Sequence, residues 1–90
     1  MNGHTHYIRV DIKQLGSFMI IKKLNGSWSD HDITHNYSNE SGYDMARYAA
    51  KFNTLEDVRR TIRQIRPTYE RMGGYKFEII TIPPFTRIVL

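Results

Sequence analysis

The chain predicts an α+β fold in the order β-β-β-α-β: an antiparallel sheet, made of a β-hairpin and C-terminal strands, packed on one amphipathic helix. Three observations lead there. Apolar residues alternate with a period of two near both ends of the chain, as half-buried strands require. Between them Leu55, Val58, Ile62 and Ile65 recur at intervals of three and four, giving a single apolar stripe on a helix. A run of adjacent strands with one helix belongs to segregated α+β architectures, not to alternating parallel units.

The first strand is read from Ile8, Val10 and Ile12, which alternate with Tyr7, Arg9, Asp11 and Lys13. Gln14-Leu15-Gly16-Ser17 breaks it, and Phe18 to Leu24 forms a second strand rich in β-branched and aromatic residues. Asn25-Gly26 predicts a type I′ hairpin turn, since both residue types tolerate positive φ. Ser27-Trp28-Ser29 returns as a third strand, with Trp28 packed on the hairpin or the helix. From Asp30 to Gly42 the chain is polar and predicts a long exposed loop. Tyr43 to Lys51 is compatible with either a helix or a short strand. The helix is expected from Thr54 to Arg66, with Asn53 as N-cap and Glu56 as its capping-box partner; Pro67 ends or kinks it, and Thr68 to Met72 can add one more turn before Gly73-Gly74 stops it. Burying its apolar stripe contributes ~6–12 kcal/mol before chain entropy is counted. Tyr75 to Ile82 is a further strand with Tyr75, Phe77 and Ile79 on one face, and Pro83-Pro84 stops it. The apolar tail Phe85 to Leu90 is suited to an edge strand or to docking on a partner.

Length and composition narrow the function classes. Ninety residues suit a single domain, 1–90, that buries only about 60–65% of the surface its unfolded chain exposes. Thirteen Lys and Arg against nine Asp and Glu give a formal charge of +4, which favours acidic partners. The absence of cysteine excludes disulfides, thiolate metal sites and thiol catalysis. Met1-Asn2-Gly3-His4 lacks the character of a signal peptide, and no apolar run is long enough to span a bilayer. A cytoplasmic protein, either monomer or homodimer, is expected.

The run Ala50-Lys51-Phe52-Asn53-Thr54-Leu55-Glu56-Asp57-Val58, with Gly74-Tyr75-Lys76-Phe77-Glu78-Ile79 downstream, resembles small phage-encoded proteins in which an early hairpin precedes a capped helix and a closing strand. The likeness covers about the last half of the chain, and a capped helix between strands produces much of it on physical grounds. It implies a protein that binds and blocks a host factor, as anti-CRISPR and anti-restriction proteins do. It carries over no functional residue.

Catalytic and metal chemistry find little support. His4 and His6, then His31 and His35 near Asp30 and Asp32, are ligand types suited to zinc or manganese, but they fall on a terminus and a loop and are expected to be solvated. No nucleophile elbow or phosphate loop is present, and Met72-Gly73-Gly74 stands at the wrong end of a helix for anion binding. No catalytic residue, metal or cofactor is therefore assigned.

The strongest feature is a row of arginines. Arg59, Arg63 and Arg66 form one stripe beside the apolar stripe, able to clamp carboxylates or track phosphates, with Arg60 further round and Arg71 beyond Pro67. Most such rows are simply solvated helix faces. Read functionally, the row makes the chain a non-catalytic binding protein. Its partner would be a host protein with an acidic surface, engaged by Arg59, Arg63 and Arg66 together with Trp28, Tyr37 and Tyr43. Nucleic acid, held by the same arginines on phosphates, is the alternative partner. Tyr7 and Tyr48 are further exposed aromatic candidates.

Overall fold

In the computed structural model, which describes residues 3–34, 48–83 and 86–90, the strand β1 (Thr5–Ile12) lies at the middle of the sheet. It is flanked by β2 (Gly16–Lys22) and β4 (Tyr75–Ile82), and the outer positions are taken by β3 (Trp28–Asp32) and β5 (Thr86–Val89). Every pairing is antiparallel, in the order β3-β2-β1-β4-β5. The expected α+β class is thus observed, with the C-terminal tail adding a last strand. A long helix, α1 (Leu55–Glu70), lies across β1 and β4.

Register explains why this face holds the core. Ile8 stands opposite Ile79, Val10 opposite Phe77 and Ile12 opposite Tyr75, so the period-two residues of both strands point to one side. There they meet Val58, Ile62, Ile65 and Tyr69 of α1, with Ile20 and Phe52 completing the cluster. The opposite face is not simply polar. Tyr7, Met19 and Ile80 are buried on it beneath Ile33 and Ala49. The expectation that Tyr7 is exposed is therefore corrected: it is 4% exposed, and burial raises its phenol pKa. Beside this second cluster an ion-pair group spans three strands. Glu78 is buried and accepts from Arg87 Nη2 at 2.8 and 2.9 Å, while Arg9 lies 3.6 Å from Glu78 and 3.1 Å from Asp11.

The connection from β3 to α1 changes faces by an unexpected route. β1 and β2 pair only as far as Arg9 opposite Met19. Beyond that point the two strands diverge, and residues 50–52 enter the gap: Ala50 N–H donates to Ile20 C=O at 3.0 Å, and His6 and Phe52 exchange backbone bonds of 2.9 and 3.0 Å. Ala49 packs on the second face and Phe52 on the helix face, so the chain passes through the sheet there. His6, expected to be solvated, is buried as a result, and its Nδ1 lies 2.7 Å from Thr81 Oγ1. Burial, and after it the neighbouring His4, hold its imidazole below the usual histidine range.

Local chemistry at element ends corrects several boundaries. The helix is capped by Thr54, not Asn53: Thr54 is extended and its hydroxyl accepts from Asp57 N–H at 3.1 Å. Of the two courses expected at Pro67 the helix takes the second and runs on, but only to Glu70. An interior proline costs about 3 kcal/mol locally, and the last turn is retained because Tyr69 is buried there. Its ring meets Phe77 edge-on, and its hydroxyl donates to Asp30 Oδ2 at 2.6 Å. Burial first, then the bond to Asp30 and its negative charge, raise this phenol well above the usual tyrosine range. At the β2–β3 hairpin only Gly26 has positive φ, so the turn is not type I′. Gly26 N–H donates to Lys23 C=O and Lys23 N–H to Ser27 C=O, closing a three-residue loop with glycine in the left-handed position, while Asn25 Oδ1 accepts from Ser27 N–H. The strand β2 accordingly begins two residues earlier and ends two earlier than Phe18–Leu24.

Candidate docking face

Helix α1 separates two flanks on its side of the sheet. Toward β2 and β3, the segment Ala50–Asn53 together with Lys22, Trp28, Asp57, Arg60 and Thr61 surrounds a hollow of about 350 Å³. Toward β5, Arg59, Ile62, Arg63, Arg66 and Leu90 line a groove of about 200 Å³. Trp28 and the arginine row, grouped as one binding set from sequence, therefore lie on opposite flanks and do not converge.

Trp28 is half-buried and mostly spoken for. It stacks on Phe52 with ring centroids 5.8 Å apart, and Lys22 Nζ lies 5.3 Å above its ring. Its packing against the core cluster explains its position without a partner. The same flank answers its own charges. Arg60 donates to Glu56 Oε1 at 3.0 Å and to Asp57 Oδ1 at 3.1 Å, the spacings of i,i+4 and i,i+3 pairs. Asp30 receives the Tyr69 hydroxyl.

The β5 flank is different. Arg59 and Arg63 are exposed and make no ion pair among the described residues. Arg66 is half-buried, but its neighbours are neutral: Nη1 donates to the Tyr75 hydroxyl at 3.3 Å, and the guanidinium lies 5.4 Å over the Phe77 ring. Glu70 is exposed one turn beyond Arg66 and forms no pair with it. From residue 59 to residue 66 the row extends about 10 Å along the helix. Its floor is apolar, made by Ile62 and Leu90. Next to it Ile88 of β5 is exposed, at 45%. The face thus combines unanswered positive charge with accessible apolar surface, a mixture suited to a partner bearing both carboxylates and aliphatic side chains.

Other features do less. Tyr37, Tyr43 and His35, the expected loop between residues 35 and 42, and the helix-or-strand alternative over residues 43–47 lie outside the described residues. Tyr48 is exposed and stacks on His31, centroids 4.7 Å apart. Among the described residues no three His, Asp or Glu side chains are grouped for a metal ion, and no helix is long and apolar enough to cross a membrane. A wider hollow of about 420 Å³ is lined by Asp11, Lys13, Ser17 and Lys76 at the strand ends, but Asp11 there is already held by Arg9 and by the Ser17 hydroxyl.

The exposed β5 edge beside the row is the functional feature that sequence reasoning did not join to the arginines. The apolar tail was the signal, but nothing in the sequence says that it returns along β4 to lie next to the helix. No protein-family model, curated protein or solved structure matches the chain. The functional reading accordingly rests on the geometry of this face.

Proposed function

We propose that the chain is a non-catalytic binding protein that docks on an acidic surface of another protein through the β5 flank of α1. The observation that carries this reading is that Arg59 and Arg63 are exposed and make no ion pair among the described residues, while Arg60, next to Arg59, is paired twice. Long cations stand there beside the apolar side chains of Ile62, Ile88 and Leu90. Together they supply charge complementarity and desolvated apolar contact to a partner. An inhibitor or adaptor that acts by occupying a host protein's surface, the role implied by the resemblance to small phage-encoded proteins, is the form of this function we favour.

The test is equilibrium binding, by fluorescence anisotropy at low salt, of labelled polyglutamate and of a labelled single-stranded DNA. Polyglutamate should bind, and the double substitution Arg59→Gln/Arg63→Gln should weaken it. DNA bound more tightly than polyglutamate, with a steep loss on adding salt, would transfer the arginines to phosphates and overturn the protein reading.

A further inference from the structure

We infer that the β5 edge takes an extended, acidic segment of the partner as a sixth strand, with the arginine row gripping its helix-side carboxylates. The inference rests on the docking reading above and specifies its ligand. Its first support is the state of the edge. Leu90 N–H donates to Phe77 C=O at 2.9 Å, so the backbone groups of Leu90, Ile88 and Thr86 face β4. Backbone direction alternates along a strand, and the N–H and C=O groups of Arg87 and Val89 therefore point away from the sheet. Among the described residues no strand pairs with that side. An open edge of this kind is a template for another strand.

The second support is charge. In a strand added outside β5, alternate side chains would rise on the helix side, next to the groove lined by Arg59, Arg63, Arg66 and Leu90. Acidic residues at those positions would meet guanidinium groups that make no ion pair among the described residues. Side chains on the other face would lie beside Val89, whereas Arg87 is already committed to Glu78. With a strand of only four residues, the ladder offers few bonds, so the carboxylate contacts are needed for useful affinity.

The same geometry argues against a second copy of this chain as the occupant. Antiparallel β5–β5 pairing about a two-fold axis perpendicular to the sheet would place both helices on one face. The two arginine rows would then confront each other across the seam, and like charges at an interface oppose association.

The experiment uses the full chain and a short fluorescein-labelled peptide of alternating Glu and Val, with three controls: a Lys/Val counterpart, the Glu/Val peptide N-methylated along its backbone, and polyglutamate. The Glu/Val peptide should bind best. Arg59→Gln/Arg63→Gln should weaken it about tenfold or more, as expected for lost charge-assisted bonds. N-methylation should weaken it comparably without touching the protein. Val89→Pro should do so as well, because it deletes an outward donor and leaves the Leu90 bond to Phe77 in place. Equal binding of the methylated and unmethylated peptides, with loss only in the arginine variant, would overturn strand addition while leaving the basic docking face standing. Failure of both polyglutamate and the Glu/Val peptide to bind would overturn both. A dimer by sedimentation velocity that Val89→Pro dissolves would give the edge to a second copy and refute the proposal.

Discussion

Arg60 and Arg63 lie less than one helical turn apart on α1, yet one closes the structure and the other leaves it open. Arg60 has Asp57 and Glu56 three and four residues before it and reaches both. At the same distances before Arg63 stand Arg60 and Arg59, so local sequence supplies it with no acid. Tertiary structure widens this difference. On the Arg60 flank the β3 strand brings Asp30 to Tyr69 and Trp28 to Phe52, and the polar and aromatic groups satisfy one another. On the Arg63 flank β5 brings the exposed aliphatic side chains of Ile88 and Leu90, and Arg63 makes no ion pair among the described residues. One helix thus has a flank whose charges are answered within the fold and a flank whose arginines make no ion pair among the described residues.

If this division is correct, the largest losses of stability should come from the closed flank. Tyr69→Ala removes a buried ring and its bond to Asp30, and should cost about 3–5 kcal/mol in urea unfolding, with the last turn after Pro67 fraying. Tyr69→Phe keeps the ring but strands the Asp30 carboxylate, and should cost about 1–3 kcal/mol. Equal stability of Tyr69→Phe and the parent chain would mean that this flank is not closed by its hydrogen bond.

A pH titration distinguishes stability from recognition. The folded chain holds the pKa of His6 below its ordinary value of 6.5, so between the two values the unfolded chain binds more protons. Stability should be full above about pH 6.5 and be lost as pH falls through the folded value, and His6→Gln should flatten that part of the curve. Arginines remain charged throughout, so capture of an acidic ligand should change little over the same range, provided the chain stays folded.

Smaller effects sharpen the contrast further. Glu56→Gln/Asp57→Asn releases Arg60, and should cost about 0.5–1 kcal/mol through lost surface pairs and the helix dipole. It should also extend the basic surface and increase binding to polyglutamate. Smallest of all, Arg59→Gln/Arg63→Gln should leave stability within about 0.5 kcal/mol while weakening that binding, since exposed positions without partners contribute little to the folded state. A large loss of stability in this last variant would show that the open flank has a structural role instead.

Much of this arrangement was legible because its causes are local. The alternation of Ile8, Val10 and Ile12, and of Tyr75, Phe77 and Ile79, specified two strands and their buried faces correctly. The spacing of Val58, Ile62 and Ile65 specified the helix, and the same wheel put Arg59, Arg63 and Arg66 in one row. Where the reading went astray, two local signals competed or a distant contact intervened. Asn53 and Thr54 are both capable caps, and only the backbone path out of the sheet decided for Thr54. Pro67 ends helices by its own chemistry, and the continuation to Glu70 depends on Asp30, far away in sequence. Tyr7 looked like the solvent side of a strand and His6 like part of a solvated terminus, because the covering residues, Ile33 and Ala49 for Tyr7 and Phe52 for His6, come from another part of the chain.

By itself, then, the sequence determined the helix, the main strands, the apolar face they share and the order of charges along the helix, since each follows from periodicity or nearest neighbours. Which arginines remain without an acid, that Trp28 stands across the helix from them, and that an open strand edge lies beside them were decided only by the tertiary structure. The reason is that strand order and the passage of residues 50–52 through the sheet are set by contacts between residues distant in the chain. Such contacts leave no periodic trace in the sequence.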